Sequence, residues 1–136
     1  PQGLAALPDV EEILPGVIRV LGQNPGPATL QGTNTYLLGK GASRILIDTS
    51  DGNGSWWPLV RQLLDEHGAV ISDVLLTHRH YDHVGGIPSI REAFPQVQVW
   101  KYMHDANEQS APSAEADGVV QDSLLVSNDD ASVQAP

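Results

Sequence analysis

Three of the five histidines in this 136-residue chain fall within six positions, as His78-Arg79-His80-Tyr81-Asp82-His83. A His-x-His-x-Asp-His run arises by chance in about 5 of 10,000 chains of this composition, so the spacing is read as a motif. Imidazole nitrogen and carboxylate oxygen are the ligands that suit Zn²⁺ in a catalytic site built without cysteine, and the chain has none. In extended backbone His78 and His80 project to one side and can address one metal, while Asp82 and His83 are adjacent, where a loop can turn them toward a second position. Gly85-Gly86 is expected to let the backbone turn sharply into a following helix. The pattern is not the i, i+4 pair of a helical zinc protease. Two plainer readings stand beside it: a metal-free histidine-rich surface loop, and a structural zinc site, which usually draws on cysteine.

The elements that must hold this cluster are legible in the hydrophobic period. Val17–Leu21, Thr33–Leu38 and Arg44–Asp48 read as three strands joined by the turns Gln23-Asn24-Pro25-Gly26-Pro27 and Gly39-Lys40-Gly41, which suggests an antiparallel meander. The period then switches. Ser55 is placed as an N-cap, and Trp56, Leu59, Val60, Leu63 and Leu64 fall on one helical face, with Pro58 in the first turn and Gly68 as the terminator. Val74–Thr77 reads as a strand leading straight into the histidines, Ile87–Phe94 as a short helix, and Val97–Trp100 as another strand. The result is an α/β (α+β) chain with helices covering at least one sheet face.

Outside the cluster, Asp48 ends a strand and is a candidate to buttress the histidine loop by accepting its N–H groups; an ordinary strand-end turn is the alternative. His67, near a helix C-terminus, suits the dipole and is read as structural. His104 is given no role. Trp56, Trp57 and Trp100 are read as packing residues rather than a base-stacking platform.

Charge narrows the partners. The chain carries 7 basic and 17 acidic residues, a net charge of −10. That is a poor surface for gripping phosphate backbones or anionic membranes. Residues 105–136 hold seven acids and no base, and read as loop or weakly ordered chain with apolar islands at Leu124–Val126 and Ala131–Val133. No apolar run approaches the roughly 20 residues of a membrane-spanning helix, and a cytoplasmic location is expected.

The motif Thr77-His78-Arg79-His80-Tyr81-Asp82-His83 with Val84-Gly85-Gly86 resembles the metal-binding signature of the metallo-β-lactamase superfamily. Asn24–Pro27, Thr29–Leu37 and Ile45–Thr49 are similar to the β-lactamase-like protein 2 family, which includes single-strand-specific endoribonucleases and thioesterases that release aromatic polyketides from fungal synthases. The resemblance spans roughly residues 8–104. It implies an αββα sandwich, two zinc ions per complete domain, and hydrolysis by a metal-bound hydroxide. By position, His78 and His80 would bind the first zinc and Asp82 and His83 the second, with Asp48 as structural support. Ser50 stands where the family commonly has glycine, and Arg79 where tryptophan is frequent. The family's later ligands, a third histidine, a bridging aspartate and a final histidine, have no counterpart among these residues, so residues 1–136 are expected to be a single incomplete domain, a fragment or a truncated product holding the N-terminal half of the sandwich.

The leading functional expectation is a zinc hydrolase acting on a small-molecule or carrier-protein-bound acyl thioester, with Asp82 also orienting or deprotonating the nucleophile. The second is an endoribonuclease. The third, of another class, is an inert truncated product or binding module with a partial metal site, whose uncovered apolar surface would favour self-association.

Overall fold

The structure is a computed structural model that describes residues 3–103 and 117–121. Strands β1 (Val10–Leu14), β2 (Val17–Leu21), β3 (Asn34–Leu38) and β4 (Ser43–Ile47) precede helix α1 (Trp56–His67). Strand β5 (Val70–Leu76), the one-turn helix α2 (Tyr81–Val84), α3 (Ile87–Ala93), β6 (Gln98–Met103) and β7 (Gly118–Gln121) follow. The seven strands form one sheet in chain order. Pairing is antiparallel from β1 to β4 and parallel from β4 to β7.

That switch follows from the connections. Short turns can return a strand only antiparallel, and Gly16 (φ 78°) and Gly39 (φ 119°) supply the left-handed positions that make the β1–β2 and β3–β4 turns. Once α1 intervenes, the chain crosses over the sheet and the next strand runs parallel. Helix α1 forms where the apolar period predicts it and buries Trp56, Val60, Leu63 and Leu64. It stops at Gly68, whose φ of 58° is the usual left-handed terminator. Ser55 occupies the N-cap position but makes no side-chain cap; instead its N–H donates to Asn53 Oδ1 at 2.9 Å.

One face of the sheet carries the core. Val20, Leu37, Leu46, Val74, Leu76 and Val99 point to it and meet Trp56, Val60, Ile87 and Ile90. The indole N–H of Trp56 donates to Thr35 Oγ1 at 3.0 Å, and that hydroxyl donates to the Val20 carbonyl at 2.6 Å, so the buried polar atoms are satisfied. Helices α1 and α3 lie side by side, with the Trp57 and Phe94 rings edge-on at 6.4 Å and Arg61 over both.

The mixed α/β expectation agrees with this architecture, and the meander is present with one strand more than expected. Strand β1 escaped because Glu11 and Glu12 break its apolar pattern, as suits an exposed sheet edge. Strand β5 begins at Val70, four residues before the expected start. Strand β7 lies inside the stretch read as loop or weakly ordered; His104 and the islands at 124–126 and 131–133 fall outside the described residues. The described strands form one continuous sheet.

Leu46 is fully buried in the central strand. Leu46→Ala is expected to cost about 2–5 kcal/mol, while Glu66→Ala on the exposed side of α1 stays within about 0.5 kcal/mol. Urea unfolding of both variants checks this, and equal midpoints would contradict the placement of the core.

Candidate metal centre

Strands β4 and β5 run parallel with Ile47 opposite Leu75, so the residues that follow both strands emerge at the same sheet edge. The carboxyl ends of parallel strands are where open α/β sheets place their ligands. After β4 come Asp48, Thr49 and Ser50; after β5 come Thr77 and His78.

Asp48 is only 3% exposed and sits at φ 60°, a left-handed conformation that aspartate tolerates better than most residues. Its Oδ1 accepts the Thr77 N–H at 2.9 Å, and its Oδ2 accepts the Thr77 hydroxyl at 2.7 Å. Oδ2 also meets His83 Nδ1 at 2.8 Å. The next residue repeats the clamp: the N–H and hydroxyl of Thr49 both donate to the His83 carbonyl at 2.8 Å. The Ser50 carbonyl then takes the Gly85 N–H at 2.9 Å. Ser50 is itself left-handed at φ 60°, which gives a physical reason for glycine being common there.

The role expected of Gly85-Gly86 needs correction. Both have ordinary negative φ, −62° and −85°, so neither turns the chain through a glycine-only conformation. What they supply is the missing Cβ. A side chain at Gly85 would run into the Asp51 backbone, and one at Gly86 into the Thr49 carbonyl and the Trp56 ring. Close approach of α2 to the end of β4 is what requires them.

All four candidate ligands are brought together. His80 caps α2, and Asp82 and His83 ride on its single turn, a helix where a loop was expected. The His78 ring lies 3.9 Å from that of His83 and 4.7 Å from that of His80, centroid to centroid. Asp82 Oδ2 is 3.2 Å from His83 Nε2 and receives a long hydrogen bond, 3.4 Å, from Thr33 Oγ1. Thr33 is held in turn by Asn24, whose side chain bonds its N–H at 2.9 Å and its hydroxyl at 3.0 Å. Sequence reasoning passed over Thr77, Thr49, Thr33 and Asn24; for Thr77 the available signal was its position immediately before the first histidine.

Proton positions follow from the partners. A carboxylate only accepts, so His83 Nδ1 carries the hydrogen shared with Asp48. The Thr77 hydroxyl has already given its hydrogen to Asp48, so at 3.0 Å it accepts from His78 Nδ1. His78 therefore presents Nε2 with its lone pair, the arrangement in which a hydroxyl behind an imidazole sets the tautomer of a metal ligand, whereas His83 stands between two carboxylates, Asp48 on Nδ1 and Asp82 on Nε2. Burial holds the pKa of His78 below its ordinary 6.5, with His83 and His80 pushing the same way and Asp48 and Asp82 opposing. Neutral imidazole is the metal-binding form.

The donor chemistry fits zinc. Two donors on one tetrahedral zinc at 2.0–2.1 Å stand about 3.3 Å apart, close to the Asp82–His83 separation. Among the described residues, however, no three such donors converge on one point as a formed metal site. The side chains instead satisfy one another.

The site is thus a histidine–aspartate cluster at the parallel-strand ends of an α/β sheet. The profile of the metallo-β-lactamase superfamily matches residues 28–122, and the chain belongs to that superfamily. It is 49% identical over 108 residues to an atrochrysone carboxyl ACP thioesterase of Aspergillus novofumigatus, covering 78% of this chain and 34% of that protein. It is 54% identical over 94 residues to a lactamase-like protein of Pestalotiopsis microspora, covering 69% of this chain and 29% of that one. The chain thus spans about a third of the length of these relatives. Among solved structures, a metallo-β-lactamase from Hirschia baltica matches with a TM-score of 0.54 at 22% identity, over 68% of this chain and 42% of that one, a likeness of fold.

Two outcomes follow. Asp48→Ala removes three hydrogen bonds and leaves alanine in a left-handed turn; it is expected to cost about 3 kcal/mol or more, measured by denaturant unfolding, and a loss under about 1 kcal/mol would contradict the clamp. The lowered His78 pKa means that the unfolded chain takes up a proton first as pH falls. The stability due to that group is complete above pH 6.5 and lost as pH falls through 6.5 to the lower folded value. His78→Gln should flatten that part of the metal-free pH–stability profile, and an unchanged profile would remove His78 as its source.

Proposed function

We propose that the complete domain is a zinc-dependent hydrolase of acyl thioesters presented on a carrier protein. The observation that supports this reading is the gathering of His78, His80, Asp82 and His83 beside the buried Asp48 at the ends of β4 and β5. The name of the Aspergillus relative supports the substrate class. His78 and His80 are assigned to a first zinc, and Asp82 and His83 to a second, with Asp48 as their support. When bound, zinc would supply an activated water and a polarised acyl carbonyl.

The residues of this chain do the positioning. Thr77 and Asp48 occupy the Nδ1 atoms of His78 and His83, so that Nε2 of each, the His83 one now beside Asp82, is the atom that would take a metal. Asp82, which accepts from Thr33, would take the proton of an attacking water or hold that water in line. The clamp from Thr49 to His83 keeps α2 from swinging away while the acyl group is bound. Endoribonuclease action, the second expectation, has less support, since a net charge of −10 works against RNA binding.

With the complete protein, a chelator should abolish hydrolysis of an acyl–carrier-protein thioester and added zinc should restore it. His80→Ala should lower kcat/KM by more than about 100-fold, since even partners behind a ligand are worth 10–100-fold. Thioester hydrolysis that survives chelation would overturn the reading; zinc-dependent cleavage of single-stranded RNA with no thioester activity would replace it with the nuclease.

A further inference from the structure

At the opposite end of the sheet a second, separate cluster gathers charge. A cavity of about 180 Å³ lies between the β1–β2 turn, the β3–β4 turn and the end of α1, lined by Lys40, Arg44, His67 and Glu12. Two of the chain's seven basic residues thus share one small cavity on a protein of net charge −10.

Arg44 is the anomaly. It is only 4% exposed, and the hydrogen bonding of its side chain among the described residues is limited to Nε donating to the Gly41 carbonyl at 2.7 Å. Guanidinium has five N–H donors, and no described carboxylate lies within ion-pair distance of this one. Among the described residues Arg19 Nε is the one buried side-chain nitrogen without a partner, so the unpartnered terminal nitrogens of Arg44 are not sealed in the core but open to the cavity that the residue lines. The surrounding backbone is shaped to the two cations. Gly16 and Gly39 both take left-handed φ, and the Gly39 N–H donates to the Gly16 carbonyl at 2.9 Å, joining the two turns. A Cβ on Gly16 would lie 3.2 Å from Lys40 Cγ, and one on Gly39 would lie 3.1 Å from Arg44 Cδ. Glycine at both turns leaves room for the two basic stems to lie flat against the cavity wall. His67, in the last turn of α1, adds ring N–H capacity, and Glu12 is the one acid in the lining.

We infer that this cavity is a binding site for a small oxyanion, a phosphoryl or carboxylate group, held by Arg44 and Lys40. Fork-shaped guanidinium donors and a mobile ammonium are the usual pair for such a group. The site is distinct from the histidine cluster. Arg44 lies near the start of β4 and Asp48 just past its end, four residues or about 13 Å along the strand. An anion here is therefore a stabilising or regulatory ligand and not the group undergoing reaction.

The test is isothermal titration of the 136-residue chain with inorganic phosphate at constant ionic strength, with chloride as the reference anion. Saturable 1:1 binding is expected. Lys40→Ala, a change at an exposed side chain, should weaken it about tenfold, the worth of one charge-assisted hydrogen bond. Arg44→Met keeps the stem, removes the guanidinium and should abolish binding; if that variant does not fold, Lys40→Ala decides alone. A parallel titration with acetate separates the sources: binding as tight as phosphate assigns the site to carboxylates, and binding of phosphate alone assigns it to phosphoryl groups. Absence of saturation with either anion, or phosphate affinity unmoved by Lys40→Ala, would overturn the inference.

Discussion

The carboxylate of Asp48 is the constraint on which the rest of the site depends. It is buried, turned by a left-handed residue at the end of the central strand, and it ties two other segments to that strand: Thr77 at the end of β5 and His83 on α2. A buried carboxylate with fewer partners would be a large liability; with three donors it becomes a fixed reference point. Every candidate ligand is placed by reference to it. Thr77 sets the exit of the strand carrying His78, and His83 sets the turn carrying Asp82. Nearby, Thr49 and Ser50 complete the hold through backbone carbonyls.

The fold supplies the geometry that makes this possible. Strand β4 is where the sheet changes from antiparallel to parallel pairing, so it is the last strand of the meander and the first partner of a crossover. Its carboxyl end therefore lies beside that of β5, and two distant stretches of sequence meet there. The core beneath is apolar and continuous, with Trp56 packed against Gly86, one of the two glycines that let α2 approach. Chemistry sits on strand ends held by packing, which is how a site keeps donors in register. Membership of the metallo-β-lactamase superfamily agrees with this construction.

Much of this was legible in the sequence. The spacing of His78, His80, Asp82 and His83 is informative because few other needs gather those residue types, and the 3.6-residue period of Trp56–Leu64 marks α1 clearly. Asp48 was legible as a strand-end residue and a candidate to buttress the histidine loop; that it reaches His83 is a contact across 35 positions, which local pattern does not encode. The same holds for Thr33 and Asn24 behind Asp82. Gly85 and Gly86 were noticed for the wrong reason, since a glycine used for close approach and one used for an unusual φ look alike in sequence. Strand β1 was hidden by its glutamates because an edge strand needs no apolar alternation. Arg44 drew no attention either, as burial of a charged residue is invisible until the strands are paired.

The central claim is that Asp48 holds the hydrogen of His83 on Nδ1, so that Nε2, on the side of Asp82, is the atom offered to the proposed metal. Imidazole ¹⁵N and ¹H spectra of the metal-free chain, with His83 assigned by substitution, test it directly. The account predicts an Nδ1–H resonance for His83, shifted downfield by its hydrogen bond to Asp48 and lost in Asp48→Asn. A His83 ring protonated at Nε2 alone, or a spectrum indifferent to Asp48→Asn, would contradict it.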